Sequence, residues 1–272
     1  MSKYHLKTEN IYSSACVQAL EDQYCSSCSA AVISPCLVSS RGFGERMISR
    51  IYNGGRQAIY TATVGAILAN NMVLPVYGAT IVVNSNMTSS NLSAGSGTTV
   101  QVYGITSNTS AWGGKEIIYN GGTANGTYIF VNGEQRVLSN GLANDTIIRS
   151  GWQYVSSGGI VSNTTISSGG NQRIEYTGIG INTIINSGGS QYVIQNGVTY
   201  DTTINSGGIQ YLTNFGIGSG TTLNSGGALI VSNGGKAYNV IQNSGGRVYV
   251  QVETGPAYIS GINEQRRRFF VI

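Results

Sequence analysis

Four consecutive 19-residue units fill residues 168–243, and this period limits the fold more than any other feature of the chain. They read SGGNQRIEYTGIGINTIIN (168–186), SGGSQYVIQNGVTYDTTIN (187–205), SGGIQYLTNFGIGSGTTLN (206–224) and SGGALIVSNGGKAYNVIQN (225–243). Gly170, Gly189, Gly208, Gly227 and Gly246 recur at the period, and Gly178, Gly197, Gly216 and Gly235 follow eight residues after the first four. The register runs back through Gly151, Gly133 and Gly114, with mid-unit glycines at 159, 141 and 122. NGGRQAIY (53–60) looks like another unit opening, but the stretch up to Gly113 keeps no clean register. A unit this short cannot bury an apolar face alone and must stack on its neighbours, which predicts a solenoid.

Each unit holds two short runs between its glycines, such as QYVIQ (191–195) and TTIN (202–205). They alternate with period two and are rich in Val, Ile, Thr and Tyr, so they predict strands; a helix of ten residues has no room. One apolar column falls four residues after the unit glycine: Val137, Val155, Ile174, Val193, Leu212, Val231, Val250. A second falls fifteen after it: Ile148, Ile166, Ile185, Ile204, Leu223. Stacked about 4.8 Å apart, the two columns would wall one continuous core. Thr146, Thr164, Thr183, Thr202 and Thr221 share the inward parity of the second column. Gln135, Gln153, Gln172, Gln191 and Gln210 share that of the first, which leaves two readings: amides stacked and bonded inside, or amides at a corner in water. The fold class is therefore all-β, a parallel β-helix over 53–255, with a cysteine-containing segment at 1–52 and a tail at 256–272.

Composition agrees with an ordered rod. With 39 glycines, 40% hydrophobic and 10% charged residues, the chain lacks the high charge of a disordered segment. Its net charge of +4 is modest, and apart from Arg266, Arg267 and Arg268 the cations are scattered, so no nucleic-acid partner is expected. No stretch reaches the roughly 18 apolar residues of a membrane helix.

The pattern SGG-x-Q-Y-V-x-x-x-G-x-x-x-x-T-T-I-N resembles the strand-loop-strand repeats of AIDA- and TibA-like autotransporter passengers, the self-associating adhesins of Gram-negative bacteria. The resemblance covers roughly 53–246 and is strongest from Gly114 onward. It implies a right-handed β-helix displayed at the outer membrane or secreted, mediating adhesion to host cells, autoaggregation and biofilm growth. It also implies O-heptosylation of repeat Ser and Thr residues by a dedicated heptosyltransferase. Two family features are not visible: residues 1–24 hold Glu9, Glu21 and Asp22 rather than a signal peptide, and the residues after Gly246 are too few for a β-barrel. The chain reads as a truncated or remodelled passenger.

Reactive constellations are sparse. Cys16, Cys25, Cys28 and Cys36 include one CxxC, but structural zinc wants two such pairs or paired histidines, and His5 is the single histidine. Disulfides in an oxidising compartment and unpaired thiols both remain open. The alternative function, a carbohydrate-active β-helix enzyme, needs carboxylates brought together. Asp145 and Asp201 share a unit position but lie three coils apart, about 14 Å. Glu116 and Glu134 lie on adjacent coils with opposite parity. Calcium repeats place an Asp in each turn, and these turns read SGG. No catalytic, metal or cofactor site is assigned.

The functional expectation rests on outward residues. Tyr154, Tyr192, Tyr211 and Tyr249 share one position and predict a partial aromatic column for contact with like rods or with a host or bacterial surface. Ser168, Ser187, Ser206, Ser225 and Ser244 open their units at turns, and Thr165, Thr203 and Thr222 face outward on the second strand. These hydroxyls are the candidate glycan acceptors that the resemblance implies.

Overall fold

The computed structural model describes residues 61–63, 78–251, 255–261 and 269–271. The segment 1–52 with Cys16, Cys25, Cys28 and Cys36, the NGGRQAIY stretch and Arg266–Arg268 lie outside the described residues.

The unit 187–205 illustrates how sequence becomes a coil. Asn186, Ser187, Gly188 and Gly189 form a turn closed by Gly189 N–H donating to the Asn186 carbonyl at 2.9 Å. Its third residue must take positive φ, and Gly188 does so at 73°. The strand Ser190–Val193 follows. A second tight turn, Ile194 to Gly197, places Gln195 and Asn196 at φ 48° and 62°, the sign pattern of a type I′ turn. Then come the strand Val198–Tyr200, a corner at Asp201 (φ 54°) and the strand Thr203–Ile204.

Three strands per coil make three sheets. Equivalent strands of successive coils pair in parallel and in register, as Gln172 with Gln191 and Gln191 with Gln210. Among the described residues the sheets hold 12, 10 and 9 strands, built respectively from the first, second and third strand of each coil. The decay of the period upstream has a specific cause. Thr80 pairs with Thr99 at the usual spacing of 19, but Thr99 pairs with Lys115, only 16 residues on. That coil links its first two strands through Tyr103 and Gly104 alone and closes through Trp112–Gly114, three residues shorter than the standard unit.

The core is continuous along the axis. Val137, Val155, Ile174, Val193, Leu212 and Val231 of the first sheet and Ile148, Ile166, Ile185, Ile204 and Leu223 of the third are fully buried, while Val250 packs only partly against them. The second sheet contributes a third wall that the apolar pattern did not predict. Its inward residues are small: Ala124, Ala143, Val161, Gly180, Thr199, Gly218, Ala237. Where that wall has glycine, the first sheet compensates. A methyl at Gly180 would lie 3.0 Å from Ile174 Cδ1, and one at Gly218 would lie 2.9 Å from Leu212 Cδ1. The larger Ile174 and Leu212 fill room that Val155 leaves to Val161 in its own coil.

The glutamines are inside. Gln135, Gln153, Gln172, Gln191 and Gln210 have no exposed surface. Each side-chain N–H donates to the side-chain oxygen one coil earlier, at 2.6–2.8 Å. Threonine hydroxyls from the buried Thr column also donate to each oxygen at 3.0–3.4 Å, Thr146 to Gln135 through Thr221 to Gln210, a second donor for all but Gln210, whose neighbour in the next coil is Leu229. The chain of amides ends on Glu116, whose carboxylate accepts from Gln135 (2.8 Å), Thr127 (2.8 Å) and Thr106 (2.9 Å). Buried amides are tolerated here because each primary partner repeats at the coil spacing.

Candidate contact surface

The outward face of the first sheet carries two columns, since alternate residues of a strand point away from the core. At the third strand position stand Arg136, Tyr154, Arg173, Tyr192, Tyr211, Ile230 and Tyr249 in successive coils. Two residues earlier stand Glu134, Trp152, Asn171 and Ser190. All four predicted tyrosines are half-buried against this face and present ring edges and hydroxyls outward.

The coil spacing brings these rings into contact. Tyr192 and Tyr211 stack with centroids 4.8 Å apart and planes 3° from parallel. Trp152 stacks beside Tyr154 at 5.4 Å and reaches Tyr192 at 6.1 Å. The Arg136 guanidinium lies 5.6 Å over the Tyr154 ring, within cation–π range. Ring and guanidinium contacts thus link Arg136, Tyr154, Trp152, Tyr192 and Tyr211, with Arg173 standing between Tyr154 and Tyr192 and Ile230 between Tyr211 and Tyr249. Sequence reasoning missed Trp152, Arg136 and Arg173. The two arginines were findable as occupants of the tyrosine position in alternate units, and Trp152 as the same-face neighbour of Tyr154.

The charges on this face neutralise one another locally. Glu134 pairs with Lys115 at 3.4 Å and with Arg136 on its own strand; Arg173 pairs with Glu175 at 2.6 Å. Such pairs contribute little stability at a surface, and they leave no net charge among these side chains beyond that of Lys115. Burial raises the Tyr154 phenol above its ordinary pKa, with Glu134 adding to it, and burial followed by the neighbouring Tyr192 raises that of Tyr211. Both therefore remain protonated hydrogen-bond donors well into alkaline conditions.

The predicted hydroxyl positions form a second surface. Ser168, Ser187, Ser206, Ser225 and Ser244 are exposed at the Ser-Gly-Gly turns, and Thr165, Thr203 and Thr222 are half-exposed on the third sheet. Between them runs an asparagine ladder: Asn205 donates to Asn186 at 2.9 Å, Asn224 to Asn205 at 2.8 Å and Asn243 to Asn224 at 2.8 Å. Each serine Oγ sits under the turn glycine of the next coil; a methyl at Gly207 would come within 2.7 Å of Ser187 Oγ and one at Gly226 within 2.5 Å of Ser206 Oγ.

Among the described residues no group of three His, Cys, Asp or Glu side chains converges as a metal site would require. Glu116 is buried and Glu134 outward, the opposite directions their parity requires. No helix among the described residues is long and apolar enough to cross a membrane.

Residues 149–208 match the family model of AIDA, described as an adhesin of the bacterial autotransporter system, probable stalk. The comparison with curated proteins gives no match. Among solved structures, the crystal structure of the TibC-catalysed hyper-glycosylated fragment 55–350 of TibA superposes with a TM-score of 0.50 at 24% identity. The alignment covers 71% of this chain and 92% of that one, and at this identity it speaks for the fold. Through the stalk repeats of residues 149–208 and the solenoid they build, the chain is similar to AIDA- and TibA-like autotransporter adhesin passengers.

Proposed function

We propose that the chain is a surface-displayed adhesin passenger, with its rod spanning 53–255, that holds cells together by side-by-side contact between like rods and promotes adhesion and biofilm growth. The observation that carries this reading is the linked Arg136–Tyr154–Trp152–Tyr192–Tyr211 surface, whose members stand at whole multiples of the coil spacing on one outward face. Rings of this kind supply rigid contact area at little entropic cost. Two antiparallel or parallel rods with the same spacing repeat each contact along their length, so weak contacts add up to avidity. The local pairing of Glu134, Arg136, Arg173 and Glu175 means that like faces approach without net repulsion.

The test is cell clumping. Cells displaying residues 53–255 through a heterologous outer-membrane anchor should autoaggregate. Replacing Tyr192 alone by Ser should weaken clumping slightly, and replacing Tyr154, Tyr192, Tyr211 and Tyr249 together should abolish most of it. A folded fourfold variant that clumps like the parent refutes the assignment of this face.

The exposed Ser168, Ser187, Ser206, Ser225 and Ser244 and the half-exposed Thr165, Thr203 and Thr222 are the acceptors we assign for O-glycosylation, supported by the glycosylated state of the TibA fragment. A heptosyltransferase is the corresponding partner. Co-expression with such an enzyme followed by peptide mass spectrometry should find the mass additions on these turns. Modification confined to other residues would overturn the assignment.

A further inference from the structure

The short coil 99–114 carries an aromatic step at its third strand. On the third sheet the outward column runs Ser93, Ser110, Tyr128, and the neighbouring column runs Gly95, Trp112, Phe130. Trp112 rests on Phe130 with centroids 3.5 Å apart and planes 12° from parallel, and Tyr128 lies 6.4 Å from the same ring. One coil earlier, both columns drop to residues with almost no side chain. The aromatic stack therefore ends on a ledge, and Trp112 keeps 50% of its surface exposed there.

Beneath the ledge is a shallow, open depression of about 560 Å3, lined by Trp112, Tyr128 and Leu92 together with Ser93, Ser110, Asn91 and Asn108. Asn91 and Asn108 are held over it by the left-handed corners (φ 56° and 57°) that turn the second strand into the third. No ionisable side chain other than the Tyr128 phenol lines the depression, so a charged ligand finds no counter-charge. Hydroxyls and primary amides both donate and accept hydrogen bonds, which matches the alternating demands of sugar hydroxyls. The flat rings match the C–H face of a pyranose, which is apolar and slightly positive against the negative ring face.

The geometry points to a pyranose-binding subsite at this ledge: the sugar ring lies against Trp112 in the place where the coil below has Gly95, and Ser93, Ser110 and Asn108 hydrogen-bond its hydroxyls. The subsite belongs to a different sheet from the tyrosine surface. It adds to the proposed lateral association a lectin-like recognition of glycans on the opposing cell, independent of rod-to-rod contact.

The chain has two tryptophans, so Trp152→Phe leaves Trp112 as the sole indole reporter while keeping a ring in the other surface. The full chain carrying this change is titrated with methyl α-mannopyranoside, methyl β-glucopyranoside, methyl β-galactopyranoside and N-acetylglucosamine. At least one should give a saturable change in Trp112 emission, with a half-point on the order of millimolar for a shallow single site. Saturation-transfer NMR should place the contact on ring C–H protons of that sugar. Ser110→Tyr puts a fourth ring at the ledge, directly under Tyr128 in the same outward column, as Tyr211 follows Tyr192 elsewhere, and so fills the depression without altering the core. It should weaken the sugar response tenfold or more while leaving circular dichroism and clumping unchanged. The inference is overturned if none of the four sugars gives a saturable change, if Ser110→Tyr binds as well as the parent, or if p-cresol saturates the site and the sugars do not.

Discussion

Replacing Gln172 by Leu cuts the buried amide ladder at its centre. The side chain donates to Gln153 at 2.7 Å and accepts from Gln191 at 2.6 Å. Without it, the Gln191 amide loses its acceptor and the Gln153 oxygen keeps only Thr164 at 3.4 Å. Each buried polar group left unsatisfied costs about 1–3 kcal/mol. Leucine recovers little, because the glutamine methylenes were already buried, so the net loss should be about 2–4 kcal/mol. Gln210→Leu is the control. The next coil already has Leu229 at this position, so the change shortens the ladder by one member and strands no glutamine amide. Gln191 then keeps its own donation to Gln172 and its Thr202 donor at 3.4 Å, and the cost should be no more than half as large. Urea unfolding at constant m-value reads both differences. Equal midpoints for the two variants, or a Gln172→Leu chain as stable as the parent, would refute the ladder as a stabilising device. Gln172→Glu probes its polarity. Its carboxylate would face the Gln153 oxygen, so the folded state favours the protonated acid and its pKa rises above the unfolded value near about 4.3. The variant should be tolerated below that pH and lose stability as the pH rises through and beyond it.

Other consequences follow from the same geometry. Thr109 Oγ1 is buried and finds no hydrogen-bond partner among the described residues, because Val100 stands where later coils have glutamine; Thr109→Val should stabilise by about 1 kcal/mol in thermal or urea unfolding. Gly218→Val would drive its Cβ to 2.9 Å from Leu212 Cδ1 and should cost about 1–3 kcal/mol, with Leu212→Val in the same chain restoring most of it, a coupling read by a double-mutant cycle. Gly216→Ala, whose Cβ would overlap the Val193 carbonyl, should prevent assembly of the rod, whereas Gly158→Ala, with open space around it at φ 82°, should cost only about 1–2 kcal/mol. Tyr154 and Tyr211 have folded pKa values raised by burial, so their contribution is complete below the unfolded value near about 10 and is lost as pH rises through the folded value; stability should fall there more steeply in the parent than in the Tyr154→Phe, Tyr211→Phe chain.

The parts of the fold legible in the sequence are those where a large residue repeats at one position. Val193 and Ile204 with their equivalents announced two walls, and the glycine period announced the stacking. The third wall was silent because its inward residues are Ala, Gly, Thr and Val, whose small size is meaningful only beside Ile174 and Leu212 in the same coil. The glutamine column was ambiguous for a different reason. Parity pointed inward and polarity outward, and only the pairing of each amide with its copy one coil away decides between them. On the surface, the tyrosine positions were legible by type. Arg136 and Arg173 were legible only by position, as occupants of the tyrosine column in alternate units, and Trp152 only as the same-face neighbour of Tyr154. The Trp112 ledge had no periodic signal at all: it arises where Trp112 and Tyr128 stand one coil beyond Gly95 and Ser110.

The end of the ladder at Glu116 supplies the most demanding test of this reasoning. An internal glutamine must find an acceptor below it, and the coil below Glu116 offers Val100. A carboxylate needs none: it only accepts, and three donors converge on it from Gln135, Thr127 and Thr106. Glu116→Leu strands those donors and should destabilise by about 2–5 kcal/mol, discounting the hydroxyls that can rotate elsewhere. The same terminator can be rebuilt one coil later. Gln135→Glu places the carboxylate above the leucine that replaces Glu116, within reach of Gln153 and Thr146, which already donate to position 135. The remaining oxygen needs the donor that Thr106 supplied. Its counterpart one coil on is Ala124, so Ala124→Thr provides it. The triple chain Glu116→Leu, Ala124→Thr, Gln135→Glu should therefore recover more than half of the single variant's loss, although it buries the same charge and carries more changes. Recovery would mean that the ladder is read as directional, from donors above to an acceptor-only end below. A triple chain no more stable than Glu116→Leu alone would mean that Glu116 serves its own coil and that the ladder has no required end.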